Sequence, residues 1–386
     1  LIYTSGTTGM PKGVMHSFRN LAAAGTLGTA LYDQTPNSRL ISYLPMAHAA
    51  ERLAVELCQM YSGLTVYFTH SLDTFADDLR RAQPTTFFAV PRIWTKFQQR
   101  VNAQIPEKKL KLLLSIPIVS GIVRRKLVNA LGLNAVNIAL SGAAPMSTTL
   151  LTWYRRLGIE ILEGYAMTEN LAYSHGTKIG LEKIGSVGSA NPEVDCKIAD
   201  SGEILIKSPT NMQGYYKQPE ITREMLDEDG YLHTGDKGEI DSLGRLSITG
   251  RIKDIFKTSK GKYVAPAPIE DMLLTNSNFE HVCVTGANLT NPIALLILSE
   301  DTQASLKANP ALKAKLTQEL TELRESVNSR LDKHEQLSYL TVLNDEWSVE
   351  TNCMTPTMKL KRDIIENKYV ELFTPWLAKK EPVLWQ

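Results

Sequence analysis

The sequence predicts an α/β protein: doubly wound sheets with a β-rich subdomain, followed by a smaller C-terminal α+β domain. Three observations lead there. The chain has 386 residues, more than one hydrophobic core usually organises, so two or more domains are expected. Residues 64–68 and 85–90 are β-branched or aromatic runs flanking a helical stretch at 71–83, and such alternation builds a sheet covered by helices. From Gly185 onward short strands and turns take over, and beyond about Ile255 a new mixed pattern begins.

Composition narrows the class. Hydrophobic residues make up 43% and charged residues 22%, an ordinary globular balance. A net charge of +1 gives no bulk electrostatic case for nucleic acid. Cys58, Cys196, Cys283 and Cys353 are far apart with no CxxC pair. That spacing predicts free thiols in a reducing, cytoplasmic setting and no structural zinc.

Taken in order, the chain opens on a short apolar start and then Thr4, Ser5, Gly6, Thr7, Thr8, Gly9, Met10, Pro11, Lys12 and Gly13. Glycines let the backbone approach a ligand, and successive N–H groups there form an anion-binding nest. Hydroxyls and one lysine add donors and charge. The common triphosphatase loop ends Gly-Lys-Ser/Thr, and this one does not. Residues 16–31 read as a helix whose N-terminus lies near that nest. A run at 40–44 ends at Pro45, and His48, Glu51 and Arg52 follow on a helix starting there.

The 64–68 and 85–90 runs read as buried strands, and a helix starts at Pro91. At 108–126 lysines and arginines bracket an apolar run interrupted by Pro117 and Gly121. It is too short to cross a bilayer. Two readings stand: a surface helix–turn–helix, or a peripheral contact in a membrane interface. Strand 136–140 ends in Ser141, Gly142, Ala143, Ala144 and Pro145, small residues where α/β folds bind ligands. A helix at 147–157 and a strand at 160–162 lead to Glu163, Gly164, Tyr165, Ala166, Met167, Thr168 and Glu169. Tyr165 offers a ring for stacking, Thr168 a hydroxyl, and Glu169 a hard carboxylate for Mg²⁺.

Further on, Asp229-Gly230 marks a turn, and Asp236 follows Thr234-Gly235 as a carboxylate suited to ribose hydroxyls. A hairpin turning at 242–244 runs into Gly250, Arg251, Ile252, Lys253 and Asp254. A basic loop holds Lys257, Lys260, Gly261 and Lys262, with a helix expected near Ile269. Strands are expected at 281–285 and 293–298. Asn309 is expected to cap a helix with Pro310 at its first position. Leu312, Leu316, Leu320, Leu323, Val327 and Leu331 give that helix one apolar face. Lys359 lies in a loop near the end.

These segments, in this order, resemble the adenylate-forming superfamily over essentially the whole chain. The pattern around His48, the Gly261–Pro266 stretch and Thr355-Pro356-Thr357-Met358-Lys359 look most like long-chain fatty acyl-CoA synthetases. Ala166, where glycine is frequent, and Asn170 after Glu169 are small departures. The resemblance implies ATP-dependent activation of a long-chain fatty acid to acyl-AMP, then thioesterification with CoA, using Mg²⁺. It implies ATP contacts at Thr4–Gly9, Lys12, Gly142–Ala144, Glu163–Ala166, Thr168, Asp236, Arg251, Lys253 and Lys257. It implies catalytic roles for Thr168, Glu169 and Lys359, and metal binding at Glu169.

His48 is implied in the acyl pocket, Asp254 as a hinge, and Lys260 and Gly261 in the CoA channel. The implied domains are a large one at 1–253, lacking its N-terminal part, and a small mobile one at 254–386. The start at Leu1, inside an apparent strand, accords with a fragment. A luciferase-like oxygenase, or a truncated chain that only binds nucleotide, are the alternatives. Acyl chain length and oligomeric state are not encoded in these motifs.

Overall fold

The computed structural model describes residues 1–386 except 5–10, 72, 145, 181, 182, 184 and 356–358. Its described residues form two compact units. The first holds 1–4, 11–234 and 238–248, and the second holds 235–237 and 249–386.

In the first unit, β1 (Ile2–Thr4) and β2 (Lys12–Met15) pair antiparallel with Thr4 opposite Lys12. Helix α1 (Phe18–Leu31) starts at Ser17, whose hydroxyl accepts from the Asn20 N–H while the Asn20 side chain accepts from the Ser17 N–H. This reciprocal pair satisfies two donors that a helix start otherwise leaves open. Strand β3 (Arg39–Ser42) is followed by α2 (Ala49–Glu51), a π-helical turn at Arg52–Leu57, and α3 (Cys58–Ser62). Strand β4 (Thr65–Phe68) then pairs with β3 in parallel. The buried strand expected here is instead an exposed one, with Tyr67 40% and Phe68 71% accessible. Its only ladder among the described residues is the two-stranded one with β3.

After α4 (Phe75–Ala82) come β5 (Thr86–Ala89), α5 (Pro91–Gln104), α6 (Glu107–Ser115), α7 (Val119–Ala130), β6 (Ile138–Ser141), α8 (Thr148–Leu157) and β7 (Ile161–Tyr165). β5, β6 and β7 lie parallel, and the sheet continues antiparallel through β8 (His175–Gly176) and β9 (Ser189–Ala190). Phe87, Trp94 and Tyr154 are fully buried beneath it. The polar edges of two of these rings are satisfied within the core: Trp94 Nε1 donates to the Ala89 carbonyl at 3.1 Å, and the Tyr154 hydroxyl to the Trp94 carbonyl at 2.6 Å. Such pairing is what lets large aromatics be buried without loss.

The β-rich part comprises β10 (Asp195–Ile198), β11 (Glu203–Lys207), β12 (Gly214–Tyr215), α9 (Pro219–Met225), β13 (Leu232–Ile240) and β14 (Leu246–Arg251). Strands β10, β11, β13 and β14 form one sheet in that order, while β12 joins β2. The turn between β13 and β14 falls at 241–244, as expected, closed by Gly244 N–H to the Asp241 carbonyl at 2.9 Å.

The second unit contains the small hairpin β15 (Phe256–Lys257) and β16 (Tyr263–Val264), then α10 (Pro266–Leu273), β17 (Phe279–Thr285), β18 (Ile293–Leu298), α11 (Glu300–Ala308), α12 (Leu312–Asn328), β19 (Leu340–Leu343), α13 (Arg362–Ala378) and β20 (Val383–Trp385). One face of the β17–β18–β19–β20 sheet packs with α10 and α12, and the other with α13. Helix α10 starts at Pro266, earlier than expected, because proline suits a helix's first position. Asn309 ends α11, its Oδ1 accepting from the Ala311 N–H at 3.2 Å, and α12 begins at Leu312, two residues later than the expected start at Pro310. Helix α11 buries no residue, so it carries no apolar stripe by which a sequence reading could find it. On α12, Leu316, Leu320 and Val327 are buried as expected, whereas Leu312 is 36% exposed.

Candidate active site

In the first unit the segment after the glycine-rich loop is fastened to the Tyr-x-x-Thr-Glu turn. Strand β12 pairs with β2, placing Tyr215 opposite Val14 and Lys12 Nζ 5.1 Å from the centre of the Tyr215 ring. The Tyr215 hydroxyl donates to Glu169 Oε1 at 2.6 Å, and the Met212 N–H donates to the Glu169 carbonyl at 2.7 Å. Burial, and then the neighbouring Glu169 charge, push the Tyr215 phenol well above its ordinary value, so its proton stays on the donor. From the other side His16 Nε2 donates to the Thr168 carbonyl at 2.9 Å. Burial lowers the His16 imidazole from 6.5 to about 4, which keeps it neutral with its proton on Nε2.

The turn itself is shaped locally. Thr168–Asn170 forms one 3₁₀ turn, the Asn170 side chain accepts from the Met167 N–H at 2.9 Å, and Leu171 and Ala172 follow at φ of 52° and 57°. Glu169 is buried, with only 7% of its surface accessible. Its second carboxylate oxygen makes no hydrogen bond among the described residues. An open carboxylate oxygen on a buried glutamate, next in sequence to a threonine hydroxyl, is a hard donor set that fits Mg²⁺ shared with phosphate oxygens. Among the described residues no three His, Cys, Asp or Glu converge to hold a metal unaided, so Glu169 would need those further oxygens.

The ends of β6 and β7 form the adjacent wall. Gly142 lies so close to the Gly164 carbonyl and the Phe88 ring that an added Cβ would meet them at 3.3 and 3.4 Å. Ala143 sits at φ 67°, a left-handed conformation that side chains rarely adopt and that ligand sites often retain. Ala144 is exposed next to it. Glu163 Oε1 accepts from the Met146 N–H at 3.3 Å, tying this loop to β7. Gly164 pairs with Gly176 and Tyr165 with His175, their rings 6.2 Å apart. Ala166 continues the strand edge into the turn, half-buried.

His48 caps α2, its Nδ1 accepting from the Ala50 N–H at 3.2 Å. The helix expected from Pro45 starts only at Ala49. Neighbouring Glu51 is buried and accepts from Ser42 Oγ at 2.6 Å and the Tyr43 N–H at 3.0 Å, which ties α2 to the end of β3.

In the second unit Asp236 Oδ1 takes a 2.7 Å bond from Arg251 Nε, and Asp236 is 8% exposed while Arg251 is exposed. Lys253, Lys257, Lys260 and Gly261 are exposed, and Asp254 is half-buried. Gly261 turns the β15–β16 hairpin at φ 76°, where glycine is the low-cost choice. Lys359 is exposed on a loop clamped at its backbone: Thr355 N–H donates to the Lys359 carbonyl at 2.8 Å, and Lys359 N–H to Thr355 Oγ1 at 3.1 Å.

The structure thus brings Thr4, Lys12, Thr168 and Glu169 onto connected elements, and Gly142–Ala144 against Glu163–Gly164. It pairs Asp236 with Arg251 within the second unit. Ser5, Gly6, Thr7, Thr8 and Gly9, along with Pro145 and 356–358, lie outside the described residues. Sequence reasoning missed Tyr215 and His16. Tyr215 lies within the stretch of short strands and turns beyond Gly185, and its partner Glu169 is 46 positions away.

Residues 1–216 match the family described as AMP-binding enzyme, and residues 253–375 match the AMP-binding enzyme C-terminal domain. A Mycobacterium tuberculosis protein provisionally named fatty-acid–CoA ligase fadD11 is 32% identical over 408 residues, covering 96% of this chain and 72% of that protein. Human long-chain-fatty-acid–CoA ligase 1 is 32% identical over 417 residues, covering 96% of this chain and 59% of that protein. The chain therefore spans only part of the length of these relatives. Among solved structures, the A-PCP didomain of carboxylic acid reductase from Segniliparus rugosus with AMP has a TM-score of 0.76 at 26% identity, covering 98% of this chain and 53% of that one. O-succinylbenzoate coenzyme A synthetase from Bacillus subtilis with AMP has a TM-score of 0.72 at 24% identity, covering 94% of this chain and 67% of that one, a likeness of fold.

Proposed function

This chain belongs to the AMP-binding enzyme family, and we propose that it serves an acid–thiol ligase that activates a long-chain fatty acid with ATP and passes the acyl group to CoA. The observation that carries this reading is the Thr168–Glu169 turn, held by His16 on one side and Tyr215 on the other beside Lys12. In the first step a carboxylate oxygen attacks the α-phosphorus and the bond to pyrophosphate breaks. Two anions must meet, so positive charge and hydrogen-bond donors have to be aimed at the transition state. Lys12 and the backbone after β1 would hold phosphate, Asp236 and Arg251 the ribose, and Tyr165 the base. Lys359 would contact the carboxylate and α-phosphate oxygens. Mg²⁺, held by Glu169 and Thr168 together with phosphate oxygens, would supply neutralising charge.

In the second step the CoA sulfur attacks the acyl carbonyl and AMP leaves. We assign Asp254 as the hinge between a domain at 1–253 and one at 254–386. Rotation there would remove Lys359 and bring Lys260 and Gly261 to the CoA channel. The names of the ligase relatives and the Pro45–Arg52 pattern around His48 support a long-chain acid. Other acids remain the second reading, because the solved structures alike in fold include enzymes of O-succinylbenzoate. An ATP–pyrophosphate exchange panel over acids from acetate to palmitate, using the full-length parent protein, tests this. Exchange rising with chain length is expected. Strong exchange only with acetate or an aromatic acid would overturn the long-chain assignment, and light emission without CoA-dependent AMP release would favour an oxygenase.

A peripheral membrane contact at the α6–α7 tip belongs to the same reading. No helix among the described residues is long and apolar enough to cross a membrane. Yet Leu112 is 63%, Ile118 83% and Ile122 53% exposed, with Lys108, Lys109, Arg124, Arg125 and Lys126 exposed alongside. Apolar residues flanked by basic ones suit an anionic interface. Co-sedimentation with phosphatidylglycerol vesicles should fall at least several-fold in Ile118→Asp, and equal pelleting of the variant would remove the contact.

A further inference from the structure

Arg362 opens α13 three positions beyond Lys359, and its guanidinium is buried, with 15% of the side chain accessible. It forms a two-pronged pair with Glu270 of α10: Nη1 to Oε1 at 2.7 Å and Nη2 to Oε2 at 2.9 Å. Nη1 also donates to the Val284 carbonyl at 2.7 Å, while the Val284 N–H donates back to Glu270 Oε1 at 2.6 Å. The start of α13 is thereby locked to both α10 and β17, in the fork geometry that only arginine offers. One donor remains. Nε–H makes no hydrogen bond among the described residues, and Asp254 Oδ2 lies 3.8 Å from it.

The first turn of α13 is continuous with the lysine loop. The Lys361 N–H donates to the Cys353 carbonyl at 2.8 Å, the Ile365 N–H to the Lys361 carbonyl at 3.1 Å, and Met354 bridges Leu360. These contacts connect the start of α13, where the guanidinium is anchored, to the backbone on either side of Lys359. The catalytic cost of a shift there is steep, since misplacing a reacting group by 1 Å can lower a rate ~100-fold.

We propose that Arg362, fixed by Glu270, is a positioning residue for Lys359, and that its spare Nε–H facing Asp254 couples the lysine loop to the hinge. The proposal rests on the functional reading above for Lys359 and Asp254. Its structural part does not. A merely structural Arg362 would weaken the whole second unit and both half-reactions alike, whereas a positioning one acts through Lys359.

The test uses Arg362→Lys and Glu270→Gln in the full-length protein. Each should lower pyrophosphate exchange roughly 10- to 100-fold at nearly unchanged KM for ATP. Acyl-CoA formation from supplied acyl-adenylate should stay within about threefold, a span of under ~1 kcal/mol. Hydrogen exchange read by mass spectrometry should speed up at 352–361 in both variants and leave β17 and β18 unchanged. Equal loss of both half-reactions, or unaltered exchange at 352–361, overturns the proposal. Should Arg362→Lys not fold, Glu270→Gln, which keeps side-chain shape, decides alone. If the wild type exchanges pyrophosphate with no acid, the functional reading fails while hydrogen exchange still judges the Arg362 lock.

Discussion

Glu169 has one carboxylate oxygen committed to Tyr215 and one open, so its orientation depends on a phenol that its local motif does not contain. A hydrogen bond to a charged acceptor contributes ~1.5–3 kcal/mol. Tyr215→Phe should therefore lower pyrophosphate exchange by roughly tenfold or more while the far-ultraviolet circular dichroism is unchanged. Full activity in that variant would show that Glu169 is held without it. His16 and His175 carry a pH consequence. Burial lowers both from 6.5 to about 4, so between those values the unfolded chain binds protons that the folded one refuses. Their stabilisation is complete above pH 6.5 and is lost as pH falls toward 4, on the order of 2–3 kcal/mol each. Asp271 runs the other way: burial, and then Glu270, raise it to about 7, so its penalty is relieved as pH falls from 7 toward 4. Calorimetry between pH 7.5 and 4.5 should show the first unit losing stability in acid. A flat profile for that unit across this window would contradict the assignment.

At the level of elements, the clearest constraint is the contact between β8 and the chain entering β9. Gly188 has φ 83°, and a Cβ there would lie 2.0 Å from the Gly176 carbonyl oxygen. Gly188→Ala should cost at least ~3 kcal/mol, because backbone on both sides leaves nothing flexible to yield. Urea unfolding measures this, and a midpoint within error of wild type would be the contrary result. Elements also mark where sequence periodicity stopped being informative. Helix α12 was legible because Leu316, Leu320 and Val327 face the core. Its neighbour α11 has no buried face, and the strand at 65–68 looked buried from its β-branched and aromatic content. Strand propensity reports fit to a pleated surface, not whether another layer packs on that surface.

For the whole molecule, the proposed division of labour between catalytic states would rest on Lys359. Lys359→Ala should lower adenylate formation ~10²–10³-fold yet still yield acyl-CoA from supplied acyl-adenylate. Comparable loss in both steps, measured by pyrophosphate exchange and by thiol consumption, would count against alternation. The chemistry-bearing residue types and their order could be read along the chain, because glycine-rich turns, apolar periods and motif spacings are local properties. What only the tertiary structure decided were the partnerships: Tyr215 with Glu169, His16 with Thr168 across 152 positions, and Arg362 with Glu270 across 92. Such pairs depend on which strands become neighbours and which helix faces meet. Those outcomes arise from packing the whole chain at once, and no short window of residues encodes them.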